Sequence, residues 1–202
     1  MDTDKPILLF SYGSNMSEKE LNKYNKKVND STNQSNSTQI KHYQVLDVGY
    51  LSNHEFKYLP LYTKSKNPTL KSAKATIIQL RPNPNTSKTP KVYGTIVQVS
   101  PKMYKLIVKK EGVNKKYYTS QTKIITSLIS KTKYKTTVFV MTDKYKNKAL
   151  EIIKTQPSPA SIPSQYPSKR YENLLVKAAT KYNLPSHYIN NYLKQKQKEN
   201  KD

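Results

Sequence analysis

The chain has 202 residues, enough for one large domain or two small ones with a buried core. Its 36 Lys and Arg against 13 Asp and Glu give a formal charge of +23, while 10% of its residues are aromatic. This balance predicts a folded protein with a strongly basic, hydrated surface rather than a disordered chain. The lack of Cys excludes disulfides, thiol catalysis and thiolate metal sites.

The basic residues are nearly all Lys and are spread over the whole length. Proteins that read nucleic acid more often cluster Arg on one element and interleave it with aromatic side chains. The charge therefore indicates either a compositional bias or non-specific binding of nucleic acid or another polyanion. His42, His54 and His187 lack the spacing of metal ligands, so we predict no metal site. The sequence has no signal peptide or apolar run of membrane length, so we expect a cytoplasmic protein without a membrane partner.

An apolar run near the N-terminus ends in a turn. Residues 7–10 (Ile-Leu-Leu-Phe) predict a buried strand, and residues 12–15 (Tyr-Gly-Ser-Asn) predict the turn that follows. Ser17 as N-cap and Glu20 three residues later predict a helix that begins with a capping box. A loop between a strand and a helix presents backbone N–H groups to one point, which suits a carboxylate. An ordinary strand–turn–helix connection has the same features.

The first half of the chain predicts mainly antiparallel β structure. Two strands are expected within residues 43–62, around a turn at 52–54, and two more at 73–80 and 92–99. We expect the last two to form a hairpin with an extended loop. Residues 29–39 predict a polar surface loop because they offer no apolar side chain to a core.

The clearest helix signal ends at a carboxylate. Ser100 is the predicted N-cap, Pro101 suits the first helical position, and Gly112 predicts the stop. Glu111 would then lie at the negative end of the helix dipole, which raises the pKa of its carboxyl towards that of a general base. The two Lys before it oppose that shift if they face the same way. By itself the pattern fits either a solvated surface Glu or a base.

The remaining elements are predicted as strands at 117–129 and 135–141, a short helix or insertion at 144–155, an irregular Pro-rich connection at 156–168, and a helix that begins near Ser168. Residues 183–185 (Asn-Leu-Pro) break that helix, and Ser186 is the predicted cap of a last one. The basic tail at 194–202 is expected to fray. We therefore predict a single domain over residues 1–193.

Three separated motifs belong together in this chain. They are Phe-Ser-Tyr-Gly-Ser-Asn-Met at 10–16, Val-Tyr-Gly-Thr at 92–95 leading to Lys-Glu-Gly-Val at 110–113, and Pro-Ser-Lys-Arg-Tyr at 167–171 leading to residues 178–188. In this order and spacing the chain resembles the gamma-glutamylcyclotransferase family from about residue 7 to residue 193. The resemblance implies an α+β fold, namely a compact antiparallel or mixed β-barrel with flanking α-helices.

The resemblance also implies a site. In the family the Tyr-Gly-Ser-Asn loop binds the glutamyl head and the Glu of Glu-Gly-Val is the acid/base. Carried over by position, the catalytic residue is Glu111 and the substrate-binding residues are Tyr12, Gly13, Ser14, Asn15, Tyr118 and Tyr171. The last two tyrosines fit pocket residues and core aromatics equally well. An Asn at the end of the loop looks more like the branch that acts on gamma-glutamyl-amino acids.

The implied reaction converts a gamma-glutamyl-amino acid to 5-oxoproline and the free amino acid. The substrate's own α-amine attacks its γ-carbonyl, so holding it in an attack conformation removes on the order of several kcal/mol of the barrier. Glu111 would take a proton from the amine and return it to the departing nitrogen. The loop N–H groups would hold the substrate carboxylate or the oxyanion. The reaction requires neither metal nor cofactor, and the partner is a small-molecule gamma-glutamyl substrate.

The alternative function is a catalytically silent binding module of the same fold, whose basic surface holds an anionic partner. Turnover distinguishes the two, because either protein would bind a polyanion in a salt-dependent manner. The sequence also departs from the family pattern. The helix before Glu111 is poor in acidic residues, and the loop at 29–39 and the Pro-rich connection look enlarged. These departures leave the choice of substrate open, and the oligomeric state is left open as well.

Overall fold

A computed structural model of the chain describes residues 5–32, 40–61, 71–81, 89–155 and 166–194. Within these ranges the strands are β1 (Ile7–Ser11), β2 (Tyr43–Ser52), β3 (His54–Leu61), β4 (Lys71–Gln79), β5 (Lys91–Val99), β6 (Tyr118–Ser127) and β7 (Lys133–Met141). The helices are α1 (Glu18–Ser31), α2 (Pro101–Glu111), α3 (Asp143–Thr155), α4 (Lys169–Lys181) and α5 (Ser186–Tyr188). Short 3-10 turns cover Ser14–Met16 and Val113–Lys115, and a π-helical turn covers Ile189–Leu193.

Five strands close a barrel in the order β1-β5-β2-β6-β7. Within it β1 and β7 pair in parallel at Leu9 and Thr137, and the other neighbours pair antiparallel. A separate antiparallel pair is formed by β3 and β4. The predicted α+β fold, a mixed β-barrel with flanking helices, is therefore confirmed.

Strand β1 is buried on both faces, which explains its unbroken apolar sequence. Successive strand residues point to opposite faces of a sheet. Leu9 packs in a cluster with residues of α1 and α2, such as Leu21 and Ile107, whereas Phe10 packs in a second cluster with Leu175 of α4. Strand β1 therefore contributes side chains to both hydrophobic clusters.

Several local predictions are confirmed by the structure. Ser100 caps α2, since its Oγ accepts a hydrogen bond from the Met103 N–H at 3.2 Å. Gly112 ends the helix in the left-handed region, at φ 68°. Ser168 caps α4 in the same way as Ser100 caps α2, and residues 144–155 are helical as part of α3.

The predicted hairpin between residues 73–80 and 92–99 is wrong. Strand β4 pairs with β3, and β5 lies between β1 and β2. Residues 92–97 of β5 are buried without interruption, so this strand needs neighbours along both edges. Adjacency in sequence could not reveal that β1, much earlier in the chain, occupies one of those edges.

The predicted loop at 29–39 begins too early. Helix α1 continues to Ser31, because Val28 and Asn29 are buried and the Asn29 Nδ2 donates to the Ile40 carbonyl at 3.1 Å. Residues 33–39 lie outside the described ranges, as do residues 156–165 of the Pro-rich connection and residues 195–202 of the tail.

Two predicted side-chain caps do not form. Ser17 occupies the N-cap of α1, but its side chain accepts no capping bond, and the Glu20 carboxylate binds Lys23 and Lys110 instead. At α5 the N-cap residue is Pro185, so Ser186 is the first helical residue rather than the cap. None of the helices in the described ranges is long and apolar enough to cross a membrane.

Candidate active site

A cavity of about 440 Å³ opens between β1, the turn that follows it, β4 and the ends of α2 and α4. The structure places along its wall every residue that the family resemblance implied: Tyr12, Gly13, Ser14, Asn15, Glu111, Tyr118 and Tyr171. The loop, the end of α2 and the start of α4 are far apart in sequence, and the closed barrel brings them to one side of the molecule. Within the described ranges, no group of three His, Asp or Glu side chains could hold a metal ion.

The carboxylate of Glu111 is held by the loop that faces it. Nδ2 of Asn15 donates to Oε1 of Glu111 at 2.9 Å. Asn15 is buried in the 3-10 turn after β1, where the Met16 N–H donates to the Gly13 carbonyl at 3.0 Å. Glu111 is the last residue of α2, directly before the stop at Gly112, and it lines the cavity.

Burial raises the pKa of the Glu111 carboxyl above its ordinary value. The hydrogen bond from Asn15 and the positive charges of Lys110 and Lys74 act in the opposite direction but do not cancel the effect of burial. Lys110 therefore opposes the rise in the pKa of Glu111, a point that the sequence had left open. A half-buried carboxylate of this kind accepts a proton more readily than one on the surface.

Three tyrosines shape the cavity through their hydroxyl groups. Tyr12 donates to the Phe139 carbonyl, and Tyr118 donates to the Ala75 carbonyl at 2.8 Å. The hydroxyl oxygen of Tyr171 instead accepts from the Ala75 N–H at 3.5 Å, so its own proton can be donated to a molecule in the cavity. Burial raises the pKa of all three hydroxyls, which keeps them protonated.

Two lysines that line the cavity were not predicted from the sequence. Nζ of Lys74, on β4, lies 4.7 Å from the ring centroid of Tyr171. Nζ of Lys110, on α2, bonds to Oε2 of Glu20 at 2.9 Å. Nothing in the sequence distinguishes Lys74 from the other basic residues, because β4 carries no chemical motif and its place beside the loop depends on long-range pairing.

Comparisons with known proteins agree with this architecture. The sequence model of the AIG2-like family matches residues 91–192 of this chain. No curated protein matches the chain. Among solved structures, an uncharacterized protein from Homo sapiens is 16% identical with a TM-score of 0.63, and the match covers 93% of this chain and 86% of the other. A structure named gamma-glutamyl cyclotransferase gives the same values.

A yeast structure is described as a gamma-glutamyl cyclotransferase specific to glutathione. It is 11% identical, with a TM-score of 0.53, and the match covers 93% of this chain and 94% of the other. At these identities the structures show a shared fold, while the family model spans half of the chain. The chain belongs to the AIG2-like family and has the gamma-glutamylcyclotransferase-like fold.

Proposed function

We propose that this protein is a gamma-glutamylcyclotransferase that converts a gamma-glutamyl-amino acid to 5-oxoproline and the free amino acid. The observation that carries the proposal is the 2.9 Å hydrogen bond between Asn15 and Glu111 at the wall of the cavity. It fixes a carboxylate of raised pKa against the Tyr-Gly-Ser-Asn loop. Family membership and the shared fold support the same reaction class.

The loop after β1 receives the glutamyl head in this proposal. Its backbone N–H groups lie where a strand ends and a 3-10 turn begins, and they supply hydrogen bonds to the substrate α-carboxylate or to the oxyanion. The Tyr171 hydroxyl is a further donor beside the loop, because its oxygen lies 3.6 Å from the position that a Cβ atom at Gly13 would occupy. This binding folds the glutamyl chain so that the α-amine approaches the γ-carbonyl.

Glu111 moves the protons. Its carboxylate accepts a proton from the α-ammonium group, whose reference pKa is about 7.7 to 8.0, and the nitrogen attacks the γ-carbonyl carbon. As the bond from this carbon to the leaving nitrogen breaks, Glu111 donates the proton to that nitrogen. After the attack the nitrogen still carries one proton more than a lactam N–H does. Glu111 removes this proton as well and passes it to the leaving nitrogen. The products are a lactam N–H and a free amino acid, and Glu111 returns to its ionised form.

Release of 5-oxoproline from a panel of gamma-glutamyl compounds tests the proposal. Glu111→Gln keeps the shape of the side chain but cannot accept a proton, so turnover should fall by about two to four orders of magnitude. The variant should still bind a substrate analogue that cannot cyclise. Glu151→Gln is the matched control, because Glu151 is exposed on α3, and its rate should equal that of the wild type.

Two results would count against the proposal in different ways. Wild-type protein that releases no 5-oxoproline from any compound of the panel would refute the function. A Glu111→Gln variant within threefold of the wild-type rate would refute the role of Glu111 alone.

A further inference from the structure

Among the described residues that line the cavity, two carry a carboxylate, Glu111 and Glu20. Glu20 lies on α1 and takes no part in the proton transfers proposed above. Its side chain is only 13% exposed, and it accepts hydrogen bonds from two lysines. Oε2 accepts from Nζ of Lys110 at 2.9 Å, and Oε1 accepts from Nζ of Lys23. Glu20 therefore determines where the ammonium group of Lys110 is held.

Lys110 comes directly before Glu111 in the chain, but the two side chains bind different partners. Nζ of Lys110 contacts α1, where it bonds to Glu20 and lies 5.0 Å from the ring centroid of Tyr24. The carboxylate of Glu111 accepts from Asn15, in the turn after β1. Successive helical residues are about 100° apart around the helix axis, which allows this division. The side chain of Lys110 is 45% exposed, so without Glu20 it could turn towards Glu111.

The titratable groups that face Glu111 from other elements do not offset the charge of Lys110. Lys74, on β4, adds a second positive charge. Four tyrosines stay neutral because burial raises the pKa of each hydroxyl, namely Tyr12, Tyr24, Tyr118 and Tyr171. Glu20 stays ionised, because burial opposes its ionisation but the bonds from Lys23 and Lys110 outweigh burial and lower the pKa of its carboxyl. Glu20 therefore carries the negative charge that balances Lys110 while Glu111 titrates.

We propose that Glu20 is a positioning residue that binds the ammonium group of Lys110 and keeps it away from Glu111. The inference rests on the proposed function and adds a residue to that same site. A cation beside the carboxylate of Glu111 would stabilise its ionised form and weaken it as a proton acceptor. With Lys110 bound by Glu20, the effect of burial prevails, and Glu111 can take a proton from the α-ammonium group and return it to the leaving nitrogen.

The pH profile of kcat/KM tests the inference, because its acid limb reports the ionisation of Glu111 in the enzyme without substrate. Release of 5-oxoproline from the gamma-glutamyl compound that the wild type converts fastest is measured for wild type, Glu20→Gln, Lys110→Met and the double variant. For each enzyme, kcat/KM on the acid limb is divided by its plateau value, so a general loss of activity cancels. Glu18→Gln is the matched control, because Glu18 lies on the same helix, bonds to Lys181 at 2.6 Å and does not line the cavity.

Glu20→Gln releases Lys110, so the acid limb should move to lower pH. The normalised kcat/KM on that limb should rise by about two- to fivefold, the effect of a partly exposed ion pair. Lys110→Met removes the cation, so its limb should move to higher pH. Because Glu20 acts through Lys110, the double variant should have the limb of Lys110→Met. Glu18→Gln should keep the limb of the wild type. Glu20→Ala replaces Glu20→Gln if the latter lacks the circular dichroism spectrum of the wild type.

The outcomes separate this inference from the proposed function. An acid limb that Glu20→Gln leaves in place or moves to higher pH would overturn the inference and leave the proposed function standing. A double variant in which the two single shifts add would do the same, because Glu20 would then act on Glu111 without Lys110. Wild-type protein that releases no 5-oxoproline from any compound of the panel would overturn the proposed function, and the inference would fall with it.

Discussion

Asn15 donates a hydrogen bond of 2.9 Å to Glu111, which follows it by 96 positions in the chain. The amide comes from the turn after β1 and the carboxylate from the last residue of α2, so the bond ties the first strand of the barrel to a flanking helix. Oδ1 of Asn15 is buried and has no partner among the described residues. In the proposed reaction this acceptor, beside Glu111, is available to the α-ammonium group of the substrate.

The first prediction concerns the pH dependence of turnover in Asn15→Ala. The hydrogen bond from Asn15 lowers the pKa of Glu111, so its removal should raise that pKa further. Because Glu111 must be ionised to accept a proton, the acid limb of the kcat/KM profile should move to higher pH. A titration from about pH 5 to pH 9 measures the limb. Asn190→Ala, at an exposed position, should leave it in place, and a limb that moves to lower pH in Asn15→Ala would contradict the prediction.

The second prediction concerns stability, again through the pKa of Glu111. Because this pKa is higher in the folded chain than in the unfolded one, the folded chain retains the proton to a higher pH. The free energy of unfolding of the wild type should therefore fall as the pH rises from the ordinary Glu pKa through the raised value. Glu111→Gln cannot ionise and should escape this loss.

The stability advantage of Glu111→Gln over the wild type should grow with pH across that interval and then level off. Urea unfolding at a series of pH values measures it, and Glu151→Gln should show no such growth. The Gln side-chain oxygen can still accept the bond from Asn15, and a change in the strength of that bond adds an offset that does not depend on pH within the variant. An advantage that shrinks as the pH rises would reverse the sign of the shift and contradict its assignment to burial.

Local chemistry made some of the fold predictable from sequence. The start and end of α2 follow from Ser100, Pro101 and Gly112, whose effects act within one helical turn. The pairing of the strands could not be predicted from local sequence, because β1 and β5 become neighbours only when the whole barrel packs. The capping box failed for a similar reason, since Lys110 of another helix binds the Glu20 carboxylate.

Of the candidate site, only the residues that belong to the sequence motifs were predictable. The family resemblance named the loop and Glu111, but no spacing in the sequence indicates that the Asn15 amide bonds to that carboxylate. Nothing in the sequence indicated that Lys74 lines the cavity. It reaches the cavity because β4 pairs with β3 and because Ala75 is bonded to Tyr118 and Tyr171, and both depend on tertiary contacts.

The third prediction concerns Tyr118→Phe. The hydroxyl donates to the Ala75 carbonyl at 2.8 Å in a buried position, so the variant leaves that carbonyl without its donor and should lose about 1 to 3 kcal/mol of unfolding free energy. Tyr134→Phe is the control, because its hydroxyl bonds to Asp47 at 3.4 Å in a partly buried position and should cost less than about 1 kcal/mol. Urea unfolding compares the two. Equal stabilities would show that the Tyr118 bond does not hold β4 in place.

The last prediction compares two glycines that differ in what an added methyl group would meet. At Gly94 a Cβ atom would lie 2.3 Å from the Ser11 carbonyl oxygen and 3.0 Å from the Phe10 ring. The carbonyl belongs to β1, which pairs with β5 at this point, so it cannot withdraw without disturbing the barrel. At Gly13 a Cβ atom would lie 3.6 Å from both Ala75 Cβ and the Tyr171 hydroxyl oxygen, which is ordinary contact.

Gly94→Ala should therefore destabilise the protein by about 1 to 3 kcal/mol or more, whereas Gly13→Ala should stay within about 1 kcal/mol of the wild type. Both changes reduce the backbone entropy of the unfolded chain, so that contribution cancels in the comparison. The methyl group of Gly13→Ala would occupy space beside the Tyr171 hydroxyl, so this variant should fold normally but show a raised KM. Urea unfolding and steady-state kinetics measure the two effects. If Gly94→Ala is as stable as Gly13→Ala, the close approach of β1 and β5 is not what requires a glycine at position 94.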